Sequence, residues 1–345
     1  MFKKILLALL SQLYILGVNI RHKLFDWGIS KSEEFDVPVI CVGNITVGGT
    51  GKTPMCEMLI EHLSQKGRVA VISRGYGRKT EGYIEVQSDA NYLEVGDEPL
   101  QMKLKYPHAL IVVCEKRAEG IRRIIEENPD VKNIIMDDGF QHRYVEPKVN
   151  VIMVDATRPI SEDYPLPLGT LRDSKEMLYR AQYFIVTKCP DKISPFDRSV
   201  IRRELVTMPY QKIYFTRIEN LEPEAIYPET AQFSDEQEVI AMSGIGNPLP
   251  FTQHIKDCYK CVDELTFEDH HSYTRDDFEI ILQSLNRHPN SVIITTEKDA
   301  IKFLMDESVP QQLRKKIYYT PIKMKFIIDS EEELLKNIDY DLKQN

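Results

Sequence analysis

The glycine-rich segment at positions 43–53 contains the residues best suited to phosphate chemistry. It reads Gly-Asn-Ile-Thr-Val-Gly-Gly-Thr-Gly-Lys-Thr, follows the apolar run VPVICV and precedes an apolar stretch that begins at Pro54. A strand, a glycine-rich turn and a helix in this order are the setting of a phosphate-binding P-loop. The pattern predicts that backbone N–H groups at 47–52 surround a β-phosphate, that Lys52 reaches the β- and γ-phosphates, and that the Thr53 hydroxyl binds Mg²⁺. The predicted nucleotide-binding residues are Thr46, Val47, Gly48, Gly49, Thr50, Gly51, Lys52 and Thr53.

One position departs from the usual P-loop pattern G-x-x-x-x-G-K-[ST]. Thr46 occupies the place of the first glycine. The neighbouring Gly48 and Gly49 supply backbone freedom that compensates for this change. A glycine turn without a nucleotide is the alternative interpretation, but the Gly-Lys-Thr triplet between strand and helix favours nucleotide binding.

A second segment supplies two carboxylates. Residues 133–137 read Asn-Ile-Ile-Met-Asp, a hydrophobic strand that ends in Asp137, and Asp138 follows directly. This is the form of a Walker B motif, whose aspartate holds Mg²⁺. Such an aspartate lies at the ligand-binding edge of a parallel sheet. A strand ending in Asp-Asp-Gly is often only a turn, so the magnesium interpretation depends on the P-loop upstream.

The elements that must position these residues follow an alternating pattern. Short apolar runs separated by helical stretches recur from Val37 onward, among them VPVICV, VAVIS at 69–73, ALIVV at 109–113, NIIMD at 133–137 and VNVIMVD at 149–155. Continuous β-branched runs of this kind are typical of parallel strands covered on both faces. The sequence therefore predicts an α/β fold of the P-loop NTPase-like, doubly wound class with a mainly parallel sheet.

A change in composition divides the chain near its middle. Residues 219–236 are acidic, contain proline and show little periodicity, which is typical of a linker. Apolar runs resume with EVIAM at 238–242 and SVIITT at 291–296, so a second, smaller α/β lobe is expected. The predicted segments are an N-terminal membrane-associated helix at 1–30, a nucleotide-binding core at 31–218, a linker at 219–236 and a C-terminal lobe at 237–345.

Composition limits the partners and the compartment. The 345 residues carry a net charge of −9, so the chain lacks the basic excess of a protein whose main partner is nucleic acid. Six scattered cysteines suit a reducing, cytoplasmic compartment better than a disulfide framework. Cys258 and Cys261 have zinc-ligand spacing, but the sequence offers no second pair at a convincing distance, so a metal is not predicted there.

The first 20 residues allow three interpretations. Two lysines precede a mostly apolar run, but a signal peptide would need a small-x-small cleavage site, and the run is too short and too polar for a spanning helix. An interfacial amphipathic helix is favoured; an amphipathic helix packed on the protein's own core is the alternative. The apolar positions at helical spacing are Ile5, Leu6, Leu9, Leu10, Leu13 and Leu16, and the flanking basic residues are Lys3, Lys4, Arg21, His22 and Lys23.

Further segments, taken together with the P-loop, resemble the tetraacyldisaccharide 4′-kinase family. The resemblance covers nearly the whole chain in the expected order and is specific as a set. The segments are VGNITVGGTGKTP at 42–54, SRGYGR at 73–78, VGDEP at 95–99, DDGFQHR at 137–143, PLGTLRD at 167–173, GIGNP at 244–248, the F-x-DHH segment at 267–271 and TTEKDAIKF at 295–303.

The resemblance implies an activity and residues that carry it. The expected reaction is transfer of the γ-phosphoryl group of ATP, with Mg²⁺, to the 4′-hydroxyl of a tetraacyl disaccharide 1-phosphate at the cytoplasmic face of the inner membrane, where the protein would bind peripherally. By resemblance, Asp97 and His270 are the catalytic acid-base pair, with Asp269 beside them, and Lys52 acts with them. Asp137 and Asp138 correspond to magnesium residues; Gln141, His142 and Arg172 fall in motifs that line the site.

Elementary chemistry supports the same pair. A sugar hydroxyl is a poor nucleophile near neutral pH, so a carboxylate or imidazole must accept its proton as phosphoryl transfer proceeds. Asp97 bonded to His270 would do this and titrate with it as a unit. The alternatives are a helix N-cap role for Asp97 and a polar strand-end role for His270.

Basic residues near the glycine turn at 73–79 are candidates for the substrate phosphate. Arg74 and Arg78, with Arg172, are predicted to form that surface because arginine binds phosphate bidentately. Solvated loop charge is the alternative.

Two other functions are weighed against the lipid kinase. One is a nucleotide-gated, membrane-associated P-loop switch that hydrolyses slowly and signals to a partner. The other is a soluble P-loop kinase whose N-terminal helix packs on its own core. The sequence shows no sign of an obligate protein partner.

Overall fold

The computed structural model describes residues 2–234 and 236–344. Positions 1, 235 and 345, which belong to the predicted N-terminal segment, linker and C-terminal lobe, lie outside the described residues. The strands are β1 Val39–Gly43, β2 Arg68–Ser73, β3 Ile84–Glu85, β4 Leu110–Val113, β5 Val131–Asp137, β6 Val149–Asp155, β7 Tyr183–Thr187, β8 Lys212–Asn220, β9 Glu224–Ala225, β10 Glu238–Ser243, β11 Lys260–Thr266, β12 Ser291–Thr296, β13 Ile317–Thr320 and β14 Ile322–Phe326. The helices are α1 Phe2–Asp26, α2 Lys52–Ser64, α3 Tyr92–Val95, α4 Asp97–Lys105, α5 Arg117–Glu127, α6 Pro195–Leu205, α7 Leu249–Cys258, α8 Arg275–Arg287, α9 Glu297–Leu304, α10 Gln311–Arg314 and α11 Glu331–Lys343, with 3₁₀ turns at Ile160–Glu162 and Lys175–Arg180.

The larger sheet holds the P-loop strand at its centre. Its strand order over the described residues is β14-β8-β7-β6-β1-β5-β2-β4-β3, and β1 pairs in parallel with β5 and β6. Apolar clusters bury both faces of these strands, as continuous apolar runs require. The chain winds from β1 to one side and then from β6 to the other, so the predicted doubly wound, mainly parallel α/β fold is confirmed.

The smaller sheet forms the core of a second lobe. It has the order β11-β10-β12-β13-β9 in the described part of the chain. Ile240 and Ile293 on its central strands pack with Phe278 and Ile281 of α8 and with Phe303 of α9. The predicted second α/β unit is therefore present.

The end of the chain returns to the larger sheet, which corrects the predicted lobe at 237–345. β14 pairs antiparallel with β8, and α11 buries Leu334 and Ile338 in the same cluster as Val149 of β6. The edge of β8 needs a partner for its backbone groups, and the apolar stripe of α11 needs a surface to cover. Residues from Ile322 onward thus complete the nucleotide-binding core.

The predicted linker is also more ordered than expected. β8 extends to Asn220, and Glu224–Ala225 pairs with β13 of the smaller sheet. Ile226 and Tyr227 are buried in the core of that sheet. The segment therefore belongs partly to each sheet.

Helix α1 extends along the protein with its apolar positions outward. The six apolar residues from Ile5 to Leu16 named above are all exposed, so the alternative in which they pack on the protein's own core is not observed. By length and composition alone α1 could also cross a membrane, so the prediction that this run is too short and too polar for a spanning helix is not confirmed. Its other face is tied down: Ser11 donates to the Pro165 carbonyl and Tyr14 to the Arg172 carbonyl.

Candidate active site

The P-loop segment lies between a strand and a helix, in the order that the sequence predicts. β1 ends at Gly43 and α2 begins at Lys52, and Gly48 and Gly51 have φ angles of 98° and 87°, a region that favours glycine. Two polar contacts support the loop from inside: Asn44 Nδ2 donates to Thr50 Oγ1 at 2.7 Å, and Thr187 Oγ1 donates to the Thr50 carbonyl at 3.0 Å. The N-terminus of α2 is thus presented at the edge of the sheet, where it can bind an anion.

The first residues of the loop are held differently from the prediction. The Val47 N–H donates to the Thr170 carbonyl at 2.8 Å, and Thr46 pairs with Leu171 as a bridge. The Val47 N–H is therefore engaged by the protein itself and is not presented to a phosphate in this structure. Arg158 was missed: its Nη1 donates to the Val47 carbonyl at 3.2 Å, which places a cation beside the loop.

Asp137 and Asp138 lie where the Walker B pattern predicts. Asp137 faces Val42 across the β1–β5 pairing and accepts from Ser73 Oγ at 3.0 Å. Burial, together with the charges of Glu98 and Asp138, raises the pKa of Asp137 to about 6. The result is a buried carboxylate whose negative charge is not fully compensated by the protein.

Asp138 has the opposite electrostatics. It adopts a left-handed backbone conformation with φ 49° and accepts from Arg172, with Nη1 to Oδ2 at 2.8 Å, while Lys52 Nζ lies 3.7 Å from Oδ1. Burial would raise its pKa, but the Arg172 hydrogen bond and the Lys52 charge outweigh burial and lower the pKa of Asp138 to about 2. Asp138 is therefore firmly ionised.

The oxygen ligands at this edge fit Mg²⁺. Thr53 is the second residue of α2, Asp137 ends β5 and Asp138 follows it. Hard oxygen ligands such as this hydroxyl and these carboxylates are those that Mg²⁺ prefers. The uncompensated charge at Asp137 is of the sign that a cation would neutralise. Among the described residues no group of three or more His, Cys, Asp or Glu side chains could hold a metal.

Asp97 and His270 meet across the two lobes. Asp97 is buried at the first turn of α4, and His270 lies in the loop between β11 and α8 with φ 58°. The distance from His270 Nδ1 to Asp97 Oδ2 is 2.9 Å. Gly96, rather than Asp97, is the N-cap of α4, and β11 ends at Thr266, so neither alternative role is observed.

The pair is electrostatically coupled. Burial opposes ionisation of Asp97, but the hydrogen bond from His270 and the charge of Lys298 lower the pKa of Asp97. The hydrogen bond to Asp97 in turn raises the pKa of His270. Lys298 was missed as a site residue, although its segment TTEKDAIKF was recognised; only the tertiary structure shows that it reaches the pair.

The predicted substrate residues are not equally available. Gln141 Nε2 donates to the Asn44 carbonyl at 2.8 Å, beside the P-loop. His142 lies next to Gln141, and burial, with nearby arginine charges, lowers its pKa to about 4. Arg172 is engaged with Asp138. These residues lie together at the nucleotide edge.

Arg74 and Arg78 line a separate cavity of about 900 Å³ together with Tyr76, Lys116 and Arg123. Arg78 forms an ion pair with Glu115, and its side chain is only 3% exposed. The structure therefore holds Arg78 in an internal contact, whereas Arg74 is exposed. Arg78 Nε and Nη1 have no hydrogen-bond partner among the described residues, and a phosphate-binding role for Arg74 and Arg78 stays a prediction.

The central parallel sheet, the strand–loop–helix phosphate site and the edge aspartates define a P-loop nucleotide-binding protein. The family model for tetraacyldisaccharide-1-P 4′-kinase matches residues 3–343. The chain therefore belongs to the tetraacyldisaccharide-1-P 4′-kinase family.

Relatives and a solved structure agree with this assignment. The chain is 39% identical over 340 residues to tetraacyldisaccharide 4′-kinase of Phocaeicola vulgatus, covering 96% of this chain and 93% of that protein. It is 38% identical to tetraacyldisaccharide 4′-kinase of Parabacteroides distasonis, covering 99% and 96%. The crystal structure of LpxK from Aquifex aeolicus in complex with ATP superposes with a TM-score of 0.76 at 28% identity, covering 98% of this chain and 99% of that one.

Proposed function

We propose that this protein transfers the γ-phosphoryl group of ATP to the 4′-hydroxyl of tetraacyldisaccharide 1-phosphate, a step in lipid A biosynthesis. Family membership supports the reaction class. The observation that carries the proposal is the Asp97–His270 contact at 2.9 Å, because a kinase for a sugar hydroxyl needs a proton acceptor in addition to a P-loop. The negative charge of Glu98, the residue next to Asp97, raises the pKa of Asp137. The Asp97–His270 pair therefore lies close enough to the nucleotide edge for their charges to interact.

The nucleotide is bound by the P-loop. Residues 48–53 and the N-terminus of α2 hold the phosphates, and the Lys52 ammonium stabilises charge on the γ-phosphoryl group as it transfers. Thr53, Asp137 and Asp138 would hold Mg²⁺, which supplies neutralisation of the β- and γ-phosphate oxygens. Arg172 keeps Asp138 ionised and in place through its hydrogen bonds.

The acceptor hydroxyl loses its proton to the Asp97–His270 pair. As the 4′-oxygen forms its bond to the γ-phosphorus, the bond from that phosphorus to the β,γ-bridging oxygen breaks and ADP leaves. The hydroxyl proton passes to the pair, which shares it and releases it to solvent after product departs. Gln141 and His142, at the same edge, are suited to orient the sugar.

The substrate is a glycolipid, so the site must operate at a membrane surface. The exposed apolar face of α1 is suited to lie in the interface of the inner membrane on its cytoplasmic side, with Lys3, Lys4 and Lys23 near anionic headgroups. The opposite face of α1 donates hydrogen bonds to the Pro165 and Arg172 carbonyls. A membrane bound by the apolar face would therefore lie on the same helix that contacts the nucleotide edge. This arrangement would let a headgroup reach the site while its acyl chains stay in lipid.

The test is a phosphoryl-transfer assay. Purified protein is incubated in detergent with Mg²⁺, γ-labelled ATP and tetraacyldisaccharide 1-phosphate, beside Asp97→Ala, Lys52→Ala and the matched surface control Asp89→Ala. We expect label in a bisphosphorylated lipid with the unaltered protein and with Asp89→Ala, and loss of that label in the other two variants. ATP conversion to free phosphate with no labelled lipid would overturn the proposal and favour a nucleotide-gated switch.

A further inference from the structure

Lys298 makes a three-way contact at the pair between the lobes. Its Nζ lies 3.2 Å from His270 Nε2, 3.1 Å from Glu98 Oε1 and 3.7 Å from Asp97 Oδ2. Its side chain is 20% exposed. Burial alone would lower the pKa of Lys298, but Glu98 and Asp97 raise it, so the amine is an ammonium ion.

An ammonium group at this position constrains the histidine. Ammonium has three N–H donors and no acceptor, so its contact with Nε2 requires Nε2 of His270 to accept. The ring proton then lies on Nδ1, from which it is donated to Asp97 Oδ2. A second proton on Nε2 would put an imidazolium N–H against the ammonium, which costs free energy.

The position of Lys298 is built into the second lobe. Thr296 caps α9 by accepting from the Asp299 N–H. Asp299 and Lys302 form a fully buried ion pair at 3.0 Å, and Asp299 also accepts from the Gly244 N–H at 2.8 Å. The first turn of α9 is therefore held firmly against the loop that follows β10, and Lys298 projects from that turn.

We propose that Lys298 is a positioning residue, which holds His270 as the neutral Nδ1–H tautomer and thereby keeps the Asp97–His270 pair ready to accept the acceptor hydroxyl proton. This inference rests on the proposed function, since it assigns a role within the same proton transfer. Lys298 acts through His270 and Asp97 and does not itself receive the proton.

All the charged groups around His270 enter the expected pH dependence. Asp97 faces it from α4, Asp269 lies 4.0 Å away on its own loop, and Lys298 faces it from α9, where Lys298 also pairs with Glu98. Asp97 and Asp269 favour imidazolium, and Lys298 is the cation in contact that opposes it. Removal of Lys298 should therefore raise the pKa of His270 and also the pKa of Asp97.

The experiment uses the full-length enzyme in detergent with ATP, Mg²⁺ and the tetraacyl disaccharide 1-phosphate. The pH profile of kcat is compared for the unaltered protein, Lys298→Met, Lys298→Arg and the exposed control Lys336→Met. We expect the acid limb of the kcat profile of Lys298→Met to move to higher pH by about one unit. Lys298→Arg should keep the limb near its original place, and Lys336→Met should match the unaltered protein.

A spectroscopic measurement reports the tautomer directly. Long-range ¹H–¹⁵N spectra of histidine-labelled protein, assigned with His270→Gln, should show the Nδ1–H form of His270 near neutral pH, and a shift toward imidazolium in Lys298→Met. A lower melting temperature in Lys298→Met does not obscure the result, because Lys298→Arg and the tautomer spectrum are read on folded protein.

The outcomes separate this inference from the proposed function. If Asp97→Ala is inactive while Lys298→Met keeps the limb and the tautomer of the unaltered protein, the inference is overturned and the proposed function stands. If Lys298→Met raises only the KM for ATP, Lys298 is a phosphate contact and the inference is also wrong. If Asp97→Ala remains fully active, the proton-acceptor role of the Asp97–His270 pair fails and this inference fails with it, whereas the proposed function fails only if the unaltered protein releases free phosphate and labels no lipid.

Discussion

The phosphate-binding edge and the Asp97–His270 pair are built in different ways. At the edge, Lys52 and Asp137 come from segments that continue the paired strands β1 and β5, with Val42 opposite Asp137. The Asp97–His270 pair joins α4, beside the larger sheet, to a loop of the smaller lobe. Strand register and contacts within the larger sheet's own loops fix the edge, whereas the pair exists only when the two lobes are correctly placed.

The two regions also differ in how far their negative charges are compensated by cations of the protein. The edge retains a buried carboxylate, Asp137, whose raised pKa of about 6 reflects uncompensated negative charge. At the other region Lys298 lies against Asp97, Glu98 and His270. We therefore expect Mg²⁺-nucleotide binding to act mainly at the edge, where a bound cation would keep Asp137 ionised, and pH to act mainly at the pair in the loaded enzyme.

The largest effect is expected at the pair. Asp97→Ala removes a proton acceptor, and general base catalysis contributes about 10²–10⁴ in rate, so kcat should fall by that factor. The KM for ATP should change little, because the contacts of Asp97 are to His270, Lys298 and its own helix. Steady-state kinetics with varied ATP measure both constants; a large rise in KM with unchanged kcat would contradict the distinction drawn between the regions.

A somewhat smaller effect is expected at the edge. Lys52→Ala removes a cation that stabilises charge in transfer, and loss of one such group costs about 10²–10³ in kcat. The KM for ATP should rise as well, since Lys52 also binds the ground-state phosphates. Calorimetry of nucleotide binding separates the loss of ATP affinity from the loss of kcat, with Lys336→Ala as an exposed control. Unchanged ATP affinity together with unchanged kcat would remove Lys52 from the site.

The two regions also differ in how far sequence reasoning reaches. The P-loop and Walker B segments were predictable because strand, glycine turn and aspartate are local patterns. Asp97 and His270 were found through family resemblance, since 173 residues separate them. The engagement of Val47 by Thr170 and the contacts of Lys298 depend on chain segments that meet only in the folded protein.

The predicted boundary of the second lobe was wrong for a related reason. The segment IKMKF at 322–326 has the alternation of a strand, but nothing local shows that its partner is β8, about a hundred residues earlier. Likewise α11 reads as an ordinary amphipathic helix, and its apolar stripe does not show which sheet it covers. Tertiary contacts determine the placement of both elements. The ion pair of Arg78 with Glu115 is likewise a contact that the local sequence does not show.

A pH profile distinguishes the regions further. The raised pKa of His270 means that its proton is lost only above the ordinary histidine value of about 6.5, so the active, neutral form should disappear as pH falls through that raised value. Below the limb, kcat should decline tenfold per pH unit. In His270→Gln the limb should move to lower pH, because the remaining acceptor is a carboxylate; a limb that stays in place would show that another group controls it.

The smallest expected effect lies where α1 meets the edge. His22 Nε2 contacts Asp173 Oδ1 at 2.6 Å, both side chains are buried, and Arg143 Nη1 lies 3.3 Å from His22 Nδ1. His22→Ala should lower the free energy of unfolding by about 1–3 kcal/mol, since buried polar groups lose a partner. Denaturant unfolding measures this loss.

The matched control is Leu13→Ala on the exposed face of the same helix. It should leave that free energy nearly unchanged, because Leu13 is 66% exposed, but it should weaken binding to anionic vesicles, since less apolar surface enters the interface. The two faces of α1 would then have separate roles, one anchoring the helix to residues 172–173 and the other contacting lipid. If Leu13→Ala destabilised the protein as much as His22→Ala, the outward face of α1 would be packed against protein, and the membrane role proposed for it would be wrong.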